Sequence, residues 1–292
     1  LIQTLVGEVY AQGDGSLSSA SLEGPRSILL LSSDEAQDVY WISDNRQSDS
    51  AAGRIRALVL DKTQEGEDVL TTAVGYAGGY DLSAEEHPQF IPVEQSRMFF
   101  GAKGLAYDSV TEAIYIAESD GHSLRCVDLD QEGGYAISTV AGDYGEAGFD
   151  NIAPLPSETH FNSPSGLALD INARVLYVAD SGNHIIRSIS LDAAEACVFA
   201  EDAVFNVSAG QAESKGMLFD DGVLAADSYL NYPTSLRFQA GVGLYLLDAG
   251  NHRARLVKSD GTIETVVGDG YPGEGGEGSP ASTFRLDSPA GL

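Results

Sequence analysis

The chain has 292 residues, 43% of them apolar, with 16 Lys and Arg against 44 Asp and Glu and a formal net charge of −28. That length and apolar content suffice for one large all-β domain or two ordinary domains with a substantial core. The charge argues against a nucleic-acid partner, whose phosphates demand a basic face, and no run of about 18 apolar residues is present to insert into a membrane in this segment. An acidic surface suits a secreted protein, a salty medium or cation-rich surroundings. The start at Leu1, "LIQTLVGEVY", lacks the basic flank and small-residue cleavage site of a signal peptide, so it reads as a processed or truncated start.

Taken in chain order, the elements repeat. A short apolar run ends in Gly five times: "TLVG" (4–7), "TAVG" (72–75), "TVAG" (139–142), "NVSAG" (206–210) and "TVVG" (265–268). A Gly-rich acidic stretch follows, then a strand start: "LEGPRSILL" (22–30), "FFGAKGLAYD" (99–108), "FNSPSGLALD" (161–170), "LNYPTSLRF" (230–238) and "LDSPAGL" (286–292), with Ala102 in the proline position of the second copy. Next come "VYWISDNRQ" (39–47), "IYIAESDGHSLRCVDL" (114–129), "LYVADSGNHIIRSISL" (176–191) and "LYLLDAGNHRARLV" (244–257). Tyr40, Tyr115, Tyr177 and Tyr245 serve as anchors, 62 to 75 residues apart.

These runs are short, rich in Val, Ile, Leu and Tyr, and bounded by Gly, Asn and Asp, which is the signature of strands. Each unit supplies about four antiparallel strands, and such a unit cannot bury both faces alone. Copies must pack face to face, which makes the expected fold an all-β propeller of four-stranded blades. "FNSPSGLALDINARVLYVADSGNHIIRSIS" resembles an NHL repeat, and "TVVGDGYPGEGGEGSPASTFRLDSPAGL" (265–292) resembles the junction between two such repeats. The resemblance implies one propeller domain over 1–292, with units at about 4–71, 72–138, 139–205 and 206–264 and a partial fifth at 265–292. The chain would begin on an outermost strand, "QTLVG", and end on an inner strand, "SPAGL". The expected whole is therefore longer, with five or six blades in the intact ring. An open ring would leave raw sheet edges.

Asp44, Glu118, Asp180 and Asp248 fall on one equivalent position, followed by Gly182/Asn183/His184 and Gly250/Asn251/His252, with His122 equivalent. Each set belongs to a different blade, and packed sheets lie roughly 10 Å apart, too far for equivalent turn residues to share one ion at about 2 Å. The expected role is structural: Asp and Asn accept bonds from turn N–H groups and Gly supplies positive φ in a hairpin turn. His122, His184, His252 and Arg253 form a candidate interaction face. Arg54/Arg56 and Arg253/Arg255/Lys258 read as solvated strand positions paired with nearby acids. The five histidines, His87 and His160 included, show no metal-ligand spacing, and neither GxSxG nor HExxH occurs. The acidic loops 142–150 and 268–278 lack the order of a calcium loop, so no cofactor is expected beyond weakly bound Ca²⁺. Cys126 and Cys197 admit either one bridge or two buried thiols. Asn206 opens the sequon "NVS", a glycosylation acceptor if the chain is secreted.

The function expected from these features is a non-catalytic interaction or scaffold module of a larger extracellular or cell-surface protein or assembly. Protein or glycan would bind through its loop faces, with self-assembly a further option. A metal-dependent hydrolase or lyase at the central channel is the alternative, and an RNA-binding NHL domain a weaker one.

Overall fold

The computed structural model describes residues 15–16, 20, 22, 24–45, 53–63, 66–74, 91–92, 101–129, 136–143, 145–150, 155–212, 214, 216, 221–276 and 278–292. The "QTLVG" segment, residues 46–52 and most of residues 76–99 lie outside them.

The described residues form four antiparallel sheets, the blades of a β-propeller. Blade 1 holds β1 (Gly15–Ser16), β2 (Pro25–Ser33), β3 (Gln37–Asn45), β4 (Gly53–Asp61) and β5 (Val69–Val74). Blade 2 holds β6 (Ile91–Pro92), β7 (Ala102–Asp108), β8 (Ala113–Glu118), β9 (Ser123–Asp128) and β10 (Ala136–Ala141). Blade 3 holds β11 (Pro164–Asp170), β12 (Val175–Asp180), β13 (Ile185–Ser190) and β14 (Asn206–Ala209). Blade 4 holds β15 (Pro233–Gln239), β16 (Gly243–Asp248), β17 (Arg253–Lys258) and β18 (Ile263–Val267). The innermost strands β2, β7, β11 and β15 stand side by side, each against the next. Glycine permits that approach: a Cβ on Gly104 would lie 2.1 Å from the Ser165 carbonyl oxygen, and one on Gly166 2.3 Å from that of Thr234.

Alternation places one side of each strand in each seam. Trp41 and Ile55 of blade 1 meet Leu105, Ile114 and Ile116 of blade 2. Tyr115, Ala117 and Leu124 of blade 2 meet Leu167, Leu176 and Val178 of blade 3. Ala168, Ala179 and Ile186 of blade 3 meet Leu236, Leu244 and Leu246 of blade 4. The register corrects one anchor. Pro25 pairs with Asp44 as Pro164 pairs with Asp180, so the residue equivalent to Tyr177, three before the aspartate, is Trp41 rather than Tyr40. An offset of one residue changes face: Trp41 enters the seam with blade 2, whereas Tyr40 packs with Ile42, Leu58 and Leu70 on the other side.

In blades 1, 2 and 4 the segment before the blade covers that blade's own outer edge. β1 pairs with β5 and β6 with β10, while in blade 4 the Ile263 N–H donates to the Val223 carbonyl at 3.0 Å. Residues 288–292 lie beside β15 without forming a strand: the Thr234 hydroxyl donates to the Pro289 carbonyl at 3.4 Å and the Leu292 N–H to Ser235 Oγ at 3.3 Å. Of the two states open to the cysteines, the structure shows the bridge, Cys126 of β9 to Cys197 in the β13–β14 connection, with Cα atoms 5.5 Å apart. None of the described helices is long and apolar enough to cross a membrane.

Candidate functional site

The start of each inner strand, the turn after the second strand and the end of the outermost strand share one end of the propeller, because Pro164 pairs with Asp180, Asp180 with Ile185, and Ile186 with Ala209. The junction loops emerge at this end.

Blade 3 shows how its polar turn is built. Asp180 is fully buried. Its Oδ1 accepts the Asn162 N–H at 2.8 Å, and its Oδ2 accepts Asn183 Nδ2 at 2.9 Å and Arg187 Nε at 2.8 Å. Blade 4 repeats the pattern: Asp248 Oδ1 accepts the Asn231 N–H at 2.7 Å and Oδ2 accepts Asn251 Nδ2 at 2.8 Å. In blade 1, Asp44 Oδ1 accepts the Gly24 N–H at 2.8 Å. In blade 2, Glu118 accepts the Ser123 hydroxyl at 2.9 Å. Burial pushes the Asp180 carboxyl up against the opposing pull of Arg187, and pushes Asp248 up to about 6.

Each carboxylate has a buried arginine seven positions later in blades 2 to 4: Arg125 after Glu118, Arg187 after Asp180, Arg255 after Asp248. The ion-pair distances are 3.7, 2.8 and 3.9 Å, and Arg56 lies 3.8 Å from Asp44 in blade 1. The pairing expected of the basic clusters holds, but the arginines are not solvated: Arg54, Arg56, Arg253 and Arg255 are 2%, 0%, 8% and 1% exposed, while Lys258 is partly exposed and pairs with Glu264. The spacing of seven was visible in the sequence, but the junction segment that folds over the arginine, with Phe149, Asp150, His160 and Phe161 around Arg187, was not.

The turn itself differs from the expected hairpin. Ser181–Asn183 and Ala249–Asn251 are single 3-10 turns, and the left-handed residue is the histidine that follows. His122, His184 and His252 have φ of 52°, 63° and 53°. Gly182 is needed for space: a Cβ there would lie 2.4 Å from Asn162 Cγ, and one on Gly250 2.6 Å from Asn231 Cγ. The four residues expected to share an interaction face differ in burial, with His122 and His252 half-buried. His184 is 4% exposed and Arg253 8%, and each histidine Nδ1 accepts a backbone N–H from the following segment at 3.1 Å: Ser163 before β11 for His122, Tyr232 before β15 for His184 and Ser288 for His252. Burial holds His122 below the usual imidazole range, opposed by Asp120 and Glu146.

Among the described residues, Leu155, Tyr232 and Tyr271 are exposed large hydrophobic side chains at this end. An Asp150–His160 contact lies nearby, with Arg187 donating to both of their carbonyls at 3.2 and 3.1 Å. Asn206 is exposed at the start of β14. Among the described residues no group of three or more His, Cys, Asp or Glu is placed to hold a metal ion.

The blades and their order define a β-propeller, and the fold has solved counterparts. The structure is similar to auxiliary nutrient binding proteins from Bacteroides ovatus (TM-score 0.53, 13% identity, 99% of this chain and 70% of that one) and Bacteroides thetaiotaomicron (TM-score 0.52, 14% identity, 99% and 69%). Within this chain, residues 161–187 match the NHL repeat model. The chain is 29% identical to NHL repeat-containing protein 2 of Bos taurus over 65% of its own length and 22% of that protein. It is 27% identical to Protein SUPPRESSOR OF QUENCHING 1, chloroplastic, of Arabidopsis thaliana over 77% of its own length and 21% of that protein. The chain thus spans about a fifth of the length of these curated relatives.

Proposed function

We propose that the chain is a non-catalytic binding module that engages another protein through the end carrying the junction loops. The observation that supports this most is exposure: Tyr232, Tyr271 and Leu155 are 48%, 54% and 54% exposed at that end, whereas the charged side chains repeated from blade to blade are buried in pairs. Tyrosines with an apolar body and a polar tip are the residues on which interface energy concentrates. The Cys126–Cys197 bridge supports an extracellular or cell-surface setting, since disulfides persist where the surroundings are oxidising.

The test is an array of immobilised peptides and glycans probed with the full, disulfide-intact chain and with the Tyr232→Ala/Tyr271→Ala double variant. Loss of one such anchor costs about 1–2 kcal/mol, a fall of about tenfold. Peptide spots weakened tenfold or more by the double variant sustain the reading. Recognition confined to glycans, or equal for both proteins, overturns it.

A further inference from the structure

Two blade seams, and the contact of blade 4 with residues 288–292, carry the same polar contact at the same length. His122, His184 and His252 each follow the polar turn of one blade, and each points Nδ1 at a main-chain N–H of the next segment, Ser163, Tyr232 and Ser288, at 3.1 Å. Both partners are held in an uncommon backbone state. The histidines have left-handed φ, and so do the three donors, at 52°, 49° and 45°. Each donor directly precedes a proline, Pro164, Pro233 or Pro289, where the left-handed region is already restricted. A residue in such a corner stays there only while its surroundings over-determine it, and the histidine contact is one of the groups that does so.

The contact fixes the chemistry of the ring. A backbone N–H donates, so Nδ1 must carry a lone pair, and the proton of the neutral imidazole sits on Nε2. Protonation converts Nδ1 into a donor facing a donor. The contact then changes from attraction to repulsion without any movement of the chain. Histidine is the side chain that makes this change between pH 5 and 8.

We propose that these three histidines are acid-sensitive latches between each of blades 2 to 4 and the segment that follows it, and that their protonation releases the pre-proline corners and reshapes the loop end of the propeller. The proposal rests on the binding reading for its consequence, because Tyr232 is both the donor of the middle latch and an exposed aromatic of that end. A partner held near neutral pH is released in acid. The charged groups facing the rings differ from seam to seam. Asp120 and Glu146 act on His122. Asp287 lies 3.8 Å from His252. The His184 ring meets the Tyr232 ring edge-on at 4.7 Å. For His122 the sign follows from the lowered folded value: the unfolded chain binds the proton first, so the contribution is complete above about pH 6.5 and is lost as pH falls below it.

The test uses the full chain and two readouts. Long-range nitrogen–proton NMR at pH 7.5 reports which ring nitrogen carries the proton, and amide exchange of Ser163, Tyr232 and Ser288 is followed from pH 7.5 to 5.0 after correction for intrinsic exchange. The expected result is an Nε2–H tautomer on all three rings and a tenfold or greater loss of amide protection in acid, shared by the three donors and absent from buried Ile114. The companion variant is His122→Asn/His184→Asn/His252→Asn. Asparagine tolerates the left-handed region and places Oδ1 where Nδ1 stood, so it keeps an acceptor that does not titrate. Its protection at the three amides should be unchanged between the two pH values. An Nδ1–H tautomer, donor amides indifferent to pH, or an Asn variant as acid-labile as the parent would overturn the latch. Failure of the array test alone would remove the partner-release consequence and leave the latch standing.

Discussion

Asp180 illustrates what a single carboxylate does in this fold. Removed from water, a charged group is tolerated only when paired and hydrogen-bonded on every side; here Asn162, Asn183 and Arg187 supply three bonds. The pair is therefore weak as a net source of stability and severe when broken. Arg187→Met should destabilise the chain by about 3–5 kcal/mol, because it leaves the carboxylate buried without its cation. Asp180→Asn/Arg187→Met should recover at least half of that loss, since the amide keeps an acceptor for the Asn162 N–H. Urea unfolding of the parent, the single and the double variant checks both halves of the claim, and equal loss in the two variants would show that Arg187 matters through its packing on Phe149 and Phe161 instead. The equivalence of Asp44, Glu118, Asp180 and Asp248 was legible in the sequence because it lies within each repeat. The latches were not: their partners are 41, 48 and 36 residues away and belong to the following unit.

At the scale of a strand, burial is decided by the neighbouring blade rather than by the residue. Ile28, Leu105, Leu167 and Leu236 occupy equivalent places, each three residues after the start of an inner strand. Leu105, Leu167 and Leu236 are 7%, 5% and 8% exposed, while Ile28 is 62% exposed. Periodicity assigned all four to strands and could not separate them, because alternation says which residues share a face and not what covers it. The same blindness made Tyr40 look like an anchor in place of Trp41. Leu105→Ala should cost about 2–4 kcal/mol through lost transfer energy and a residual cavity. Ile28→Ala should fall within about 0.5 kcal/mol of the parent, as surface changes do. Side-by-side chemical denaturation of the two variants reads the difference, and a costly Ile28→Ala would show that this face is covered in solution.

For the whole molecule, the described blades contact one another in sequence, β2 with β7, β7 with β11 and β11 with β15, so stability approximates a sum over units and seams. The Cys126–Cys197 bridge is a covalent addition to one seam: Cys126 is buried in a strand of blade 2, and Cys197 belongs to a connection of blade 3 that packs on the same apolar cluster. The bridge closes a span of 71 residues, and constraining the unfolded chain over that length is worth about 4 kcal/mol in the chain-entropy account. Cys126→Ser/Cys197→Ser should therefore lower stability by about that amount. The loss should be local, because a seam term propagates only through its neighbours. Amide protection in β8, β9 and β12 should fall, while Leu244 and Leu246, in the seam between blades 3 and 4, should keep most of theirs. Native-state hydrogen exchange resolved by residue distinguishes this pattern from a uniform fall across all four blades. A uniform fall would mean that the array unfolds as one cooperative unit, in which case the bridge stabilises the propeller as a whole rather than one of its seams.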